Sequence, residues 1–139
     1  MNTITGEQAY AAAYQFLRKL YFQTKLDDLG GLMGDMSLVG EEGPADPAIV
    51  KDWRDAVQFA RGGHPSGPLT DKQAYAAMYR FVEQLSVAIG SGELRRLLEA
   101  LAMRADGAPA NAEIARSWQE AMSYARAGGK ADRLRIISP

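Results

Sequence analysis

The sequence predicts an all-α protein, a compact six-helix bundle made of two pseudo-symmetric three-helix repeats. The first observation behind this prediction is internal similarity. Shifted by 65 residues, the chain aligns with itself without a gap, and 19 of the 61 pairs from 4/69 to 64/129 are identical. The second is spacing, because apolar residues recur three and four positions apart within each copy, as on one buried face of a helix. A register held over this length indicates duplication of one helical unit.

The duplication divides the chain into a first repeat, residues 1–64, and a second repeat, residues 65–139, which ends in a short tail. A unit of about 60 residues buries little surface by itself. The repeats are joined by a short segment rich in proline and glycine, residues 64–68. We therefore expect one packed domain in which the two repeats share a core. Whether the tail, residues 131–139, adds a short extended segment to the bundle is left open.

The first helix of each repeat begins at a predicted capping box. Thr5 is followed three residues later by Gln8, and Thr70 is followed in the same way by Gln73. In this motif the glutamine side chain reaches back to the backbone N–H of the capping residue. The buried stripe of the helix consists of Tyr10, Ala13, Tyr14, Leu17, Leu20 and Tyr21, repeated as Tyr75, Met78, Tyr79, Val82 and Leu85.

The second helix is predicted at residues 27–36 and again at 93–103. The third begins at Asp46-Pro47, an N-cap followed by proline at the first helical position, and at Asn111 in the second repeat. Glycines at 62–63 and at 128–129 are expected to end it. Its buried stripe consists of Ile49, Trp53, Ala56, Val57 and Ala60, repeated as Ile114, Trp118, Ala121, Met122 and Ala125.

Composition limits the class of protein. With 47% hydrophobic and 24% charged residues, the chain has the profile of a folded globular protein. It contains no cysteine, and therefore neither a disulfide framework nor thiolate chemistry. We find no apolar run of the roughly 20 residues that a membrane span needs and no secretory signal. We therefore expect a cytoplasmic protein.

Charge is distributed unevenly between the repeats. The net charge of −1 argues against nucleic acid as the partner. Residues 1–65 contain 6 Lys and Arg against 9 Asp and Glu, which gives −3, whereas residues 66–139 contain 10 against 8, which gives +2. The first repeat is thus acidic and the second mildly basic.

The two copies differ most in the second helix. In the first repeat one outward face of this helix carries only glycines and aspartates. We call it the divergent face, and it consists of Asp27, Gly31, Gly34 and Asp35. Asp28 and Gly30 lie beside it. The second repeat presents a regular, charged solvent face at the same places, namely Gly92, Arg96, Glu99 and Ala100, with Glu93 and Arg95 alongside.

The glycines at 30, 31 and 34 need a physical reason. Each costs about 1 kcal/mol in a helix interior relative to alanine. One interpretation is a low surface that lets another backbone approach closely, rimmed by carboxylates that attract a basic partner. The alternative is that the glycines allow tight packing inside this protein. Asp27 and Asp28 would then serve only as caps and dipole partners of the helix.

No set of residues in the sequence points to a catalytic, cofactor or metal site. A cluster of acidic residues in the first repeat lacks the alternating ligands and the glycine of an EF-hand loop, and we expect these carboxylates to be solvated. His64 is the only histidine, so no second histidine or cysteine is present to complete a metal site or a triad. A small hydrolase that uses paired carboxylates is the last-ranked alternative.

A family resemblance lies in the residues from Asp27 to Leu38, Asp-Asp-Leu-Gly-Gly-Leu-Met-Gly-Asp-Met-Ser-Leu, followed by Asp46-Pro47-Ala48 and Asp52-Trp53. This pattern resembles that of small bacterial immunity proteins of contact-dependent growth inhibition and related polymorphic toxin systems. The resemblance covers most of residues 5–60, and the second repeat keeps only the framework.

The resemblance implies a non-catalytic protein that binds a cognate toxin domain in the cytoplasm of the producing cell. It would block the active site of the toxin or a surface that the toxin needs. Charge complementarity in such pairs raises the association rate and the selectivity more than the affinity. The residues expected to face the toxin are Asp27, Asp28, Gly30, Gly31, Gly34, Asp35, Glu41 and Glu42.

We expect a monomer in the free state, with no nucleic-acid or membrane partner and no cofactor. The alternative from another class is a self-associating helical scaffold or adaptor protein with no toxin partner. In that case the acidic and basic repeats would pair between copies of the chain. Such dimers would dissociate as salt screens their charges.

Overall fold

Six helices and two short strands make up the described part of the chain. The structure, a computed structural model, describes residues 3–37, 46–63 and 67–129. The elements in order are β1 (Thr3–Ile4), α1 (Gly6–Thr24), α2 (Asp27–Met36), α3 (Ala48–Ala60), β2 (Leu69–Thr70), α4 (Asp71–Ile89), α5 (Gly92–Ala100) and α6 (Ala112–Arg126). The predicted all-α six-helix bundle is confirmed, with three helices from each repeat. The predicted tail, residues 131–139, lies outside the described residues.

Both predicted capping boxes are present. The Thr5 hydroxyl accepts the N–H of Gln8 at 3.1 Å, and the Gln8 side chain accepts the N–H of Thr5 at 3.0 Å. Thr70 and Gln73 repeat the arrangement at 3.1 and 2.9 Å. These side chains satisfy backbone N–H groups that have no partner inside the helix, which explains why α1 and α4 begin where they do.

The third helix of each repeat starts and ends as predicted. The Asp46 carboxylate accepts the N–H of Ala48 at 3.0 Å, and the Asn111 side chain accepts the N–H of Glu113 at 2.8 Å. Just beyond α3 and α6, Gly62 has φ +70° and Gly128 has φ +95°. This left-handed backbone conformation favours glycine and terminates a helix.

The second helix of the second repeat is shorter than predicted. It was expected to run to Met103, but α5 ends at Ala100. The chain then turns back on itself, because the N–H of Arg104 bonds to the carbonyl of Ala108 at 2.7 Å and the N–H of Ala110 bonds to that of Ala102 at 2.9 Å. Met103 pairs with Pro109 in this turn instead of continuing the helix.

The two repeats exchange their third helices. α3 packs along α4 of the second repeat, and α6 packs along α1 of the first. Within each repeat the first helix also contacts the second, α1 with α2 and α4 with α5. The core is therefore continuous between the repeats, and neither repeat buries its third helix on its own first helix alone.

Two tryptophans at equivalent positions occupy the junctions that this exchange creates. Trp53 of α3 packs edge-on against Tyr10 of its own repeat and Phe81 of the other, with ring centroids 5.7 and 5.5 Å apart. Trp118 of α6 packs in the same way against Tyr75 and Phe16, at 5.4 and 5.3 Å. Each tryptophan thus joins aromatic side chains from both repeats.

An approximate two-fold axis relates the repeats, and two contacts between equivalent elements lie on it. β1 and β2 pair antiparallel, so that Ile4 faces its own equivalent, Leu69. Near the start of α2, the N–H of Asp28 donates to the carboxylate of its equivalent in α5, Glu93, at 3.2 Å. The sequence contains no periodic signal for strands of only two residues, and this pairing was not predicted.

Two tyrosine hydroxyls hold the end of the second helix against the first in each repeat. Tyr10 donates to the carbonyl of Met36 at 2.6 Å, and Tyr75 donates to the equivalent carbonyl of Leu101 at 2.7 Å. Both bonds satisfy carbonyls at a helix end that lack a partner within the helix. Burial is the main reason why the pKa values of Tyr10 and Tyr75 lie well above their ordinary value.

The raised tyrosine pKa values predict a loss of stability in alkaline solution. Above about pH 10 the unfolded chain releases the tyrosine protons while the folded chain keeps them, so the free energy of unfolding falls as pH rises. The slope is up to about 1.4 kcal/mol per pH unit for each tyrosine. Urea denaturation between pH 8 and 11 measures it.

Substitution of Tyr75 by phenylalanine is the matched comparison. Below pH 9 the Tyr75→Phe variant is expected to be about 1 kcal/mol less stable, because the Leu101 carbonyl loses its partner. Above pH 10 its stability should fall less steeply than that of the parent chain. Equal slopes in the two proteins would show that folding does not raise the pKa of Tyr75.

Candidate functional site

The structure places the divergent face on the outer side of α2. The apolar residues of this helix are buried beneath it: Leu29, Leu32, Met33 and Met36. Asp27, Gly31 and Asp35 are exposed and Gly34 is half-buried. Neither aspartate side chain forms an ion pair or a hydrogen bond with another described residue. Within the described part of the chain, both carboxylates are thus exposed and unpaired.

Gly31 and Gly34 are not required by packing within the described residues. A Cβ added at either position would meet no other atom within 4 Å. Both have helical backbone, so a positive φ does not explain them either. The helix thus carries two residues of the poorest helix propensity after proline without a gain in internal contacts.

The glycine at position 30 is explained by packing within the chain. A Cβ there would lie 2.7 Å from Cε1 of Tyr21, whose ring covers this part of α2. The second repeat has the reverse combination, with the small Ser86 in place of Tyr21 and the long Arg95 in place of Gly30. This glycine fits the packing alternative, since the chain's own tyrosine occupies the space above it.

Asp28 also has an internal role. Its carboxylate accepts a hydrogen bond from the Ser91 hydroxyl at 2.5 Å, and that hydroxyl in turn accepts the N–H of Leu94 at 3.0 Å. The N–H of Asp28 donates to Glu93. Asp28 therefore supports the N-terminal cap of α5 at the junction of the repeats. The capping alternative placed this role on its own helix, but α2 has no side-chain cap.

The eight residues predicted to bind a partner thus fall into three groups. Gly30 and Asp28 contact other residues of the chain. The four residues of the divergent face form no side-chain hydrogen bond or ion pair with a described residue. Glu41 and Glu42 lie outside the described residues. The N–H of Asp46, where the described chain resumes, bonds to the carbonyl of Asp35 at 3.2 Å. Over 3–37, 46–63 and 67–129, no three His, Cys, Asp or Glu side chains are grouped so that they could hold a metal ion.

The structure also contains a concave surface that the sequence did not predict. A groove of about 620 Å³ lies between α3 and α4, and we call it the α3/α4 groove. Carboxylates and an exposed aromatic ring line it together with polar residues of α4; the residues used below are Asp52, Asp55, Phe59, Arg80 and Gln84. It was missed because it depends on the exchange of third helices, which brings these two elements together.

None of the described helices is long and apolar enough to cross a membrane. The longest, α1 and α4, each have 19 residues. Both also carry polar and charged side chains at exposed and half-buried positions.

Alanine substitutions at Gly30 and Gly31 test this division of the glycines. Gly31→Ala should raise the free energy of unfolding by about 0.5–1 kcal/mol, because alanine favours the helix and meets no neighbour. Gly30→Ala should be about 1 kcal/mol or more less stable than Gly31→Ala, because its methyl group displaces the Tyr21 ring. Urea denaturation of both variants measures the difference.

The matched control places Gly30→Ala in a Tyr21→Ser background, which copies the serine of the second repeat. In that background alanine at position 30 should stabilise the helix as it does at position 31. If the two alanine variants had equal stability in the parent chain, the Tyr21 contact would not explain Gly30.

Comparisons of the chain with protein-family models, with curated proteins and with solved structures find no match. The similarity to immunity proteins therefore remains an expectation based on the pattern from Asp27 to Trp53. What the chain does must be argued from its own residues, above all from the places where the two repeats differ.

Proposed function

We propose that this chain is an immunity protein that binds and neutralises a bacterial toxin domain through the divergent face of α2. It acts by protein–protein contact in the cytoplasm, without catalysis, a cofactor or a metal ion. The observation that carries this proposal is the difference between equivalent helices. The face is open in α2, whereas Arg96 and Glu99 occupy it in α5.

The cost of the two open glycines supports an external role for them. Gly31 and Gly34 each lower helix stability by about 1 kcal/mol relative to alanine, and α5 shows that the fold accepts long side chains at both positions. A residue that lowers stability without an internal contact is expected where function requires it. Close approach of a partner's backbone is such a requirement.

The carboxylates at the two ends of the divergent face indicate the charge of the partner. Asp27 precedes the glycines and Asp35 follows them, and both are exposed. They belong to the acidic first repeat, which has a net charge of −3 over residues 1–65. A basic surface on the toxin domain would be attracted to this region, and the association rate would fall as salt is added.

The proposal assigns direct toxin contact to Asp27, Gly31, Gly34 and Asp35. Gly30 contacts Tyr21, and Asp28 contacts Ser91, within the same chain. In this proposal these two residues influence toxin binding only by positioning α2. The pattern resemblance from Asp27 to Leu38 supports the immunity role, and its glycines and aspartates include all four residues of the divergent face.

Grafting the face of the second repeat onto the first tests the proposal. The Gly31→Arg, Gly34→Glu double variant reproduces the residues of α5. We expect it to be more stable than the parent chain, since both glycines are replaced by better helix formers. We also expect at least a 100-fold loss of affinity for the cognate toxin domain, because long side chains prevent close approach. Calorimetric titration measures this affinity.

The reciprocal graft, Arg96→Gly with Glu99→Gly, is the matched control. It destabilises α5 but should leave toxin binding unchanged. Growth of bacteria that express the toxin domain gives a second measurement, because only variants that bind should protect them. A stable Gly31→Arg, Gly34→Glu variant with full affinity and full protection would exclude the divergent face as the toxin-binding surface.

A further inference from the structure

The α3/α4 groove combines an exposed aromatic ring with two carboxylates. Phe59 is 59% exposed, the largest exposure of an aromatic side chain among the described residues. Asp55 lies one turn and Asp52 two turns before it on α3, and all three line the groove. Gly62 and Gly63 at the end of α3 leave this side of the groove without side chains, and a Cβ at either would meet nothing within 4 Å.

Arg80, a cationic residue that lines the groove, already has partners within the chain. The guanidinium of Arg80 lies 4.2 Å from the centroid of the Phe59 ring. It also pairs with Glu83, one turn further along α4, at 3.2 Å. Arg80 therefore covers one face of the ring and does not form an ion pair with Asp52 or Asp55.

The equivalent helix pair in the other half of the bundle has a lysine at this place. There α6 packs along α1, and the Nζ atom of Lys19 lies 3.1 Å from a carboxylate oxygen of Glu120. Glu120 is the equivalent of Asp55, and Lys19 is the equivalent of Gln84. The pair α1/α6 is thus bridged by an ammonium group of the neighbouring helix, whereas α3/α4 has a neutral amide at that position.

Among the described residues, the partner of Asp55 is weakly held. Lys51, one turn earlier on α3, lies 2.8 Å from it, but the two side chains are 80% and 61% exposed. Ion pairs of this kind between exposed side chains contribute little. The Asp52 carboxylate forms no ion pair or hydrogen bond with a described residue, although its charge, after the hydrogen bond and charge of Asp55, also raises the pKa of Lys51. Because the Lys51 side chain is exposed, a cation from outside can take its place at these carboxylates.

We propose that the α3/α4 groove binds a lysine side chain of a partner protein, in the place that Lys19 occupies beside Glu120 between α1 and α6. The ammonium group pairs with Asp52 and Asp55, and the methylene stem lies along the open edge of Phe59. A groove of about 620 Å³ also has room for an apolar residue next to that lysine. This surface is formed by α3 and α4, so the inference is independent of the role proposed for α2.

Binding of a blocked tripeptide, leucyl-lysyl-leucine, to the isotope-labelled full chain tests this inference by nuclear magnetic resonance. Saturable shifts are expected at the amides of Asp55, Phe59 and Gly63. The Gln84→Lys variant places an internal ammonium group where Lys19 stands in the other half, and should weaken the peptide's binding about tenfold or more. Val87→Lys adds the same charge at an exposed position of α4 outside the groove, and should leave the binding unchanged.

A second peptide tests the charge itself. With norleucine instead of lysine it should not produce saturable shifts, since it lacks the ammonium group. The inference is overturned if the lysine peptide gives no saturable shifts, if the norleucine peptide binds equally well, or if Gln84→Lys binds as tightly as the parent chain.

Discussion

The structure depends on the contact of each tryptophan with aromatic rings from both repeats. Trp53 lies between Tyr10 and Phe81, and Trp118 lies between its own repeat's Tyr75 and the other repeat's Phe16. Because these side chains are buried at the junction of exchanged helices, the aromatic core of each repeat is completed by the other. The strand pair and the contact between the starts of α2 and α5 extend this connection along the axis.

The shared core explains where the two copies were free to diverge. Most buried positions keep their identity or size in both repeats, and Ala13 with Met78 is an exception. Surface changes are compensated locally. Tyr21 with Gly30 becomes Ser86 with Arg95, and Lys19 with Glu120 corresponds to Gln84 with Asp55 in the other half. Both proposed partner-binding surfaces lie at such differences, so one half of the bundle serves as an internal reference for the other.

Most of the fold could be predicted from the sequence because its signals are local. Capping boxes, the asparagine N-cap and terminal glycines depend on residues within one helical turn, and they identified the starts of α1, α4 and α6 and the ends of α3 and α6. No such signal marked the end of α5, which was placed three residues too late. Apolar spacing identified which face of each helix is buried. It does not specify the neighbouring element, and so the exchange of α3 and α6 and the pairing of β1 with β2 were not predicted.

The candidate site was only partly predictable for the same reason. The comparison of repeats correctly identified α2 as the place of greatest difference, but it could not tell three neighbouring glycines apart. Gly30 lies under a ring that is nine residues away in sequence, whereas Gly31 and Gly34 point away from it. Likewise, Asp28 meets Ser91 only because the starts of α2 and α5 come together. Such contacts depend on tertiary structure, and no pattern within the helix contains them.

The most direct test of the shared core follows each tryptophan separately during unfolding. In Trp53→Phe only Trp118 fluoresces, and in Trp118→Phe only Trp53 does. If the exchanged helices form one cooperative unit, the fluorescence of each remaining tryptophan and the loss of helical circular dichroism should have the same urea midpoint and slope. Separate transitions for the tryptophan and the helices in either variant would show that the repeats unfold independently, which contradicts a core completed by both.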